Sequence, residues 1–252
     1  YAGIGGNIKL IPDTITIHGE VYKIEIIAVE INPEIAKIYQ DFHPNHKVIA
    51  GDVHEYLPLH YKDFDFIWLS PPCPTHSQFR YRCGHLAWGQ EAVYPDMTLY
   101  QEIIFLKYYA KCKWVVENTE SYYQPLVRCQ KIARHYFWAN FIIPKLDSTP
   151  LDIKNNQVSE FEEMRGFDLS KYKIADKRKI LRNCVNPDVG LHVFNAAFRI
   201  KQTVLNDGGI NFTQNPTDFA LSSPLINVKR ESADSPNLPH IHNQKLEEVN
   251  FS

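Results

Sequence analysis

The sequence predicts an α/β protein built on a doubly wound, mostly parallel sheet, and three observations carry that prediction. Short apolar runs recur through the first half of the chain, and each leads to a residue able to do chemistry. Lys23–Glu30 ends in Glu30, Lys47–Val53 in Asp52, Asp65–Ser70 just ahead of Cys73, and Lys113–Asn118 in Glu117. Helix signals separate these runs, so strands and helices alternate, the pattern that yields parallel pairing through helical crossovers. A glycine loop, Tyr1-Ala2-Gly3-Ile4-Gly5-Gly6-Asn7, stands ahead of all of them and lets the backbone approach a ligand closely. In open α/β sheets ligands gather at the carboxyl ends of the strands. Three acids and one cysteine at that rim point to a nucleoside ligand lying across it.

After the loop, Pro12 limits any helix, and Thr14–Lys23 has room for a hairpin turning at His18-Gly19. The strand Lys23–Glu30 comes next, and Glu30 stands 24 residues beyond Gly6. An acid about 20 positions after a glycine loop is the usual partner of a ribose hydroxyl pair. Asn32 then caps a helix with Pro33 in its first position, and Ile35, Ile38, Tyr39 and Phe42 form the apolar face. The strand at Asp65–Ser70 must leave the sheet at Pro71-Pro72, because proline has no N–H for a ladder, so Cys73 falls on a stiff turn. The segment 78–90 mixes arginine, aromatic residues and glycine and reads as a mobile clamp on phosphates and bases. Pro95-Asp96 opens a helix with Leu99, Ile103, Leu106, Tyr109 and Ala110 on one face, followed by the strand to Glu117. Ala133–Phe141 is a further strand in which Tyr136, Trp138 and Asn140 alternate with the core-type Phe137 and Phe141. A basic patch runs from Lys171 to Arg182, and a helix from about Asp188 to Arg199 carries Val189, His192, Val193 and Ala196 on one face. From Gln202 onward periodicity fades and a disordered tail is expected.

Composition narrows the class. The 252 residues suit one main domain with an appendage, and 27 basic against 29 acidic residues leave no global polycation. Contact with nucleic acid must therefore come from local patches. Five cysteines, at 73, 83, 112, 129 and 184, form an odd set without C-x-x-C, which argues against a disulfide framework and a zinc site and for a reducing, cytoplasmic setting. No signal peptide is present, and no apolar run approaches the roughly 18–20 residues of a membrane span. Because the chain begins at Tyr1, an additional apolar strand is expected upstream, central in the sheet between the Glu30 and Cys73 strands.

These residues resemble the DNA cytosine-5 methyltransferase family, particularly its compact phage and prokaryotic members, over about residues 1–200. Tyr1–Gly6 resembles the first motif of that family, Glu30 the second and Gly51-Asp52-Val53 the third. Ser70-Pro71-Pro72-Cys73 resembles the nucleophile motif, and Glu117-Asn118 the Glu-Asn-Val motif, with Thr119 in place of valine. Glu160–Phe167 is similar to the ninth motif and Arg182-Asn183-Cys184-Val185 to the tenth, with arginine where glycine is usual. Pro-Pro-Cys followed 44 residues later by Glu-Asn at a strand end is the most specific part of the match.

The resemblance implies a Rossmann-like fold that binds S-adenosylmethionine, needs no metal and methylates carbon 5 of cytosine in double-stranded DNA. Cys73 would add to C6 of the base and Glu117, with Asn118, would hold and protonate the ring. Arg134, or His135 beside it, would polarise the cytosine carbonyl in place of the family's Arg-x-Arg pair. Glu30 would hold the cofactor ribose, Asp52 the adenine amine, and Tyr1 would stack on the adenine. Gly3, Ile4 and Gly6 would line the methionine portion, Asn183 would close the site, and Ile31, Val53 and Pro72 would complete it. Ser77, Arg80, Arg82, Lys177 and Arg178 would contact DNA around a flipped base.

The implied organisation is a catalytic domain at 1–143, a short target-recognition segment at 144–176, a basic patch and returning helix at 177–200, and a tail at 201–252. A monomer is expected, with a place in restriction–modification. Three other readings stand beside this one: an amino-methyltransferase, which would carry an aromatic residue where Cys73 stands; a C5 enzyme acting on RNA; and an inactive DNA-binding relative.

Overall fold

A computed structural model of the chain describes residues 1–146 and 157–198, together with the backbone of 226–230. The first strand pair is a hairpin, β1 (Thr14–Ile17) and β2 (Glu20–Glu30), whose turn places His18 and Gly19 at positive φ of 53° and 83°. Two successive left-handed residues give the twist that a two-residue hairpin needs. Helix α1 (Pro33–Phe42) comes next, with the Asn32 side chain accepting from the Glu34 and Ile35 N–H groups, and β3 (Lys47–Ala50) returns parallel to β2. Helix α2 (Val53–His60), capped by Asp52, leads to β4 (Phe66–Leu69). Helix α3 (Thr98–Tyr109) crosses to β5 (Lys113–Thr119), parallel to β4. A second hairpin, β6 (Gln130–Ile132) and β7 (His135–Ala139), packs β7 antiparallel on β5. Then come α4 (Val158–Arg165), α5 (Lys177–Asn183), α6 (Pro187–Phe198) and β8 (Ile226–Arg230), which pairs antiparallel with β2.

Side-chain alternation explains how β4 and β5 are held. Ile67, Leu69 and Val116 face α2 and α3, in a cluster with Leu57, Ile103 and Leu106. Phe66 and Val115 face the other way, toward Phe137 and the α6 residues Val189, Val193 and Phe194. A strand with period two and both faces covered reads as a continuous apolar run, which is how Phe66-Ile67-Trp68-Leu69 reads. A third cluster joins Ile4 and Ile38 to Phe161, Phe167, Leu169 and Leu181, so α4 and α5 pack against the glycine loop and α1.

Several sequence expectations change. The sheet is mixed: β2–β3 and β4–β5 are parallel, but the other four ladders among the described residues are antiparallel, because both hairpins and β8 add antiparallel edges. The strands form two sheets, and among the described residues no ladder joins β2 to β4. A narrow cavity of about 80 Å³ lies along this seam, lined by Ile27, Val29, Phe66 and Trp68, and the Tyr1 and Ala2 nitrogens donate to the Val29 carbonyl at 2.7 and 3.0 Å.

Other differences are local. Helix α3 starts at Thr98 rather than at Pro95, since the Asp96 carboxylate accepts from the Thr98 N–H. Segment 78–90 is not open loop but holds a wide helical turn at Arg80–Ala87. Trp138 is as buried as Phe137, because β7 is covered on both faces and alternation there marks two interiors. The buried stripe of α6 is Val189, Gly190, Val193, Phe194 and Ala197, while His192 turns out to donate to the Pro144 carbonyl. The polar connection around 147–156 and most of the expected tail lie outside the described residues.

Candidate active site

The carboxyl ends of β2, β3 and β4 open into one cavity of about 700 Å³, within the range that encloses a nucleoside-sized ligand, and Glu117 and Asn118 of β5 stand behind its wall rather than in its lining. Its floor is the glycine loop. Gly6 comes so close to Cys184 Sγ and the Val185 carbonyl that a Cβ would collide with both, so the loop lies directly on the segment after α5. Glu30 fixes the loop from the other side. One carboxylate oxygen accepts from the Gly3 N–H at 2.9 Å and the other from the Asn32 N–H at 3.1 Å. Each oxygen keeps a further lone pair, so the carboxylate can still accept from a ligand hydroxyl. Asp52, at the start of α2, accepts from the His54 N–H at 2.8 Å through one oxygen.

Cys73 lies on the opposite wall. The Pro-Pro sequence ends β4, and the Cys73 carbonyl accepts from the His76 and Ser77 N–H groups at 3.0 and 3.1 Å, closing a tight turn. Asn118, at the end of β5, donates from Nδ2 to the Pro71 carbonyl at 2.9 Å and so ties the turn to the neighbouring strand. His76 holds the other side: it is 1% exposed, with Nδ1 2.6 Å from the Tyr123 hydroxyl and Nε2 2.9 Å from the Asp96 carbonyl. Burial pushes the Cys73 thiol up, the Glu117 carboxylate adds to this, and Arg182 and Lys179 on α5 pull it back down. Glu117 itself is buried, with His135 Nε2 3.6 Å from its Oε1.

Most residues singled out in the sequence meet here. Tyr1, Gly3, Ile4, Gly6, Glu30, Ile31, Asp52, Pro72, Cys73 and Asn183 all line the cavity. Val53 does not: it is 7% exposed and packs in the core with Leu57 and Ile67. Of the pair Arg134 and His135, only His135 is beside Glu117. Its strand register places it two residues from Phe137, the partner of Glu117, and hence on the same face. Arg134 is exposed in the hairpin turn, where its carbonyl accepts from the Glu120 N–H. Ser77 caps the helical turn by accepting from the Arg80 N–H at 3.2 Å, and Arg80 reaches Gln90 at 3.4 Å. Arg82 and Arg178 are exposed, and Lys177 donates to the Ser170 carbonyl at 3.2 Å.

The two basic segments prove to be neighbours, because the Arg182 guanidinium lies 5.3 Å from the Phe79 ring. Sequence reasoning missed His76 and Tyr123, and it placed Lys179 in a basic patch without its action on Cys73. A histidine three residues after the nucleophile was visible, but its partners are 20 and 47 residues away and left no local signal.

Residues 3–120 match the family model described as C-5 cytosine-specific DNA methylase. A search of curated proteins found no match.

Proposed function

We propose that this chain, whose residues 3–120 form a C-5 cytosine-specific DNA methylase domain, methylates cytosine in double-stranded DNA through a covalent adduct to Cys73. The observation that carries this reading is Cys73, just past the end of β4 and near enough to Glu117 on the adjacent parallel strand to feel its charge, on the wall of a cavity that Glu30 and Asp52 also line. The cavity fits an adenine nucleoside cofactor: at about 700 Å³ it has the volume, the glycine loop forms its floor, and the Glu30 and Asp52 carboxylates stand along its rim. S-adenosylmethionine bound there would supply an electrophilic methyl group. Glu30 would accept from the ribose hydroxyls, Asp52 from the adenine amine, and Tyr1 would pack on the base.

Carbon 5 of cytosine is a weak nucleophile, and the residues present suit its activation. The Cys73 thiolate adds to C6, forming the Sγ–C6 bond and pushing the ring electrons toward C5. Glu117 is the acid placed to deliver a proton to N3 so that the ring accepts this charge. C5 would take the methyl group, the remainder of the donor leaving as S-adenosylhomocysteine; C5 then loses its proton to water in the site, the Sγ–C6 bond breaks to restore the thiolate, and N3 returns its proton to Glu117. His135, 3.6 Å from Glu117, is the group placed to orient it. Asn118 and His76 hold the turn on which Cys73 sits, so addition requires little rearrangement. The base must leave the duplex to enter the cavity. Arg80, Arg82, Lys177 and Arg178, on the two segments joined at Phe79 and Arg182, would then meet the DNA backbone.

The test is covalent trapping. A random-sequence duplex library containing 5-fluorocytosine, incubated with the protein and S-adenosylmethionine, should give a denaturant-stable adduct that Cys73→Ser abolishes. Absence of any Cys73-dependent adduct across the library would overturn the reading.

A further inference from the structure

Glu102 has no part in the chemistry above, yet it is the most conspicuous buried acid in the molecule. It projects from α3 with 1% of its surface exposed; among the described residues its carboxyl oxygens make no well-aligned hydrogen bond, and the Tyr1 phenol, the Tyr1 amino group and His54 are the groups that act on it. The groups around it all belong to the end of the cavity formed by Tyr1, Asp52 and His54. His54 Nδ1, on α2, lies 3.3 Å from Oε1, near enough for an ion pair but outside hydrogen-bond alignment. The Tyr1 phenol faces it from the glycine loop, with Asp52 from the start of α2 and Asp96 from the segment before α3 close to that phenol. An ionised carboxylate in such a place is costly unless it is paired, so the group either takes a proton or takes it in turn with a partner.

We propose that Glu102 is a positioning residue for the nucleoside end of the cavity, and that filling this end is accompanied by uptake of a proton onto Glu102. The proposal rests on the cofactor reading given above and adds to it a residue and a linked proton. A base stacked on Tyr1 would cover Tyr1 and His54, whose side chain is 42% exposed, and so remove the solvent screening behind Glu102 and favour its neutral form. Neutral Glu102 keeps Tyr1 and His54 in place without bringing an unpaired charge against the bound base. Burial has already pushed this carboxyl up to about 7, with Tyr1 and His54 acting in the opposite direction, so further drying acts on a group poised to titrate.

By linkage, a site that gains a proton on filling binds best where the proton is available, and its affinity falls as pH rises through 7. If occupancy makes the carboxyl about tenfold harder to ionise, affinity falls about sevenfold between pH 6 and pH 8.5.

Titration calorimetry with S-adenosylhomocysteine, at pH 7 in buffers of differing ionisation enthalpy, counts the protons directly. The wild-type chain should take up a fraction of a proton, and Glu102→Gln, which keeps the shape and cannot titrate, should bind with none. Binding without uptake, or equal uptake in Glu102→Gln, would overturn the proposal. No binding by the wild-type chain would instead remove the cofactor reading, and this inference with it. Should Glu102→Gln not fold, the wild-type affinity measured from pH 6 to pH 8.5 decides, and a flat profile overturns the proposal.

Discussion

Burial and the Glu117 carboxylate push the Cys73 thiol up, while Lys179 and Arg182 oppose them across the cavity mouth. A nucleophile so placed is protected while the site is open and gains thiolate character when the balance of charge around it changes. The two influences can be separated by alkylation, which reads thiolate fraction without needing substrate. Iodoacetamide labelling of Cys73, followed by peptide mass spectrometry, should show a midpoint above the ordinary cysteine range. Glu117→Gln removes the opposing charge and should label faster at pH 8, by up to about tenfold if the thiol pKa falls by one. Arg182→Ala should label more slowly. A slower Glu117→Gln would mean that the carboxylate supports the thiolate. Cys73 and Glu117 were both legible in the sequence because each ends an apolar run. The charges on α5 that act on Cys73 were not, since 106 or more positions separate them from it and only the fold brings them near.

Helix α1, which lends Glu34 and Ile35 to the cavity wall, also governs the cavity from beyond its own end. Its cap, Asn32 with Pro33 behind it, was readable from sequence alone, and so was the apolar face. The role of the residues just beyond the helix was not: His43 approaches the Ile4 carbonyl of the glycine loop, with Nε2 at 3.2 Å, and stacks on His46 with centroids 5.0 Å apart. Burial, with a smaller contribution from His46, lowers His43 from 6.5 to about 4. A group lowered on folding contributes stability that is intact above the unfolded value and is lost as pH falls toward the folded one. The chain should therefore lose stability between pH 6.5 and pH 4, and the glycine loop should loosen with it. His43→Gln, neutral throughout and still able to donate to Ile4, should flatten part of this slope in urea unfolding midpoints measured at pH 7, 5.5 and 4.5. An unchanged slope would show that His43 is not the group responsible. Helix α6 differs in the opposite sense. Its apolar periodicity was visible, but the buried stripe turned out to be rotated toward Gly190 and Phe194, because Gly190 lies against the backbone of Asn7, where a Cβ would not fit.

Across the molecule, the alternation of strand and helix announced an α/β fold and the rim that carries the chemistry, because periodicity and strand-end residues are local signals. Among the described residues no ladder joins β2 to β4, and the antiparallel edges of the two sheets were not announced, since the pairing of strand edges depends on partners far apart in sequence. The consequence is that the glycine loop is a structural joint as well as a ligand floor. It touches β2 through Val29 and Glu30, α1 through His43, the α4–α5 cluster through Ile4, and the segment after α5 through Gly6. A ligand seated on it would therefore stabilise contacts of all these elements at once. A cofactor at one hundred times its dissociation constant adds about 2.7 kcal/mol to stability. For a chain of about this size, that amounts to a rise of roughly 5–10 °C in the thermal midpoint. Gly6→Ala tests whether the loop is the joint. The added methyl must displace Cys184 or Val185, a cost of about 1–3 kcal/mol in a packed site. The variant should melt lower, and S-adenosylhomocysteine should raise its midpoint far less than that of the wild-type chain. An equal ligand-induced rise, measured by differential scanning fluorimetry at the same ligand concentration, would mean that the cofactor does not rest on this loop.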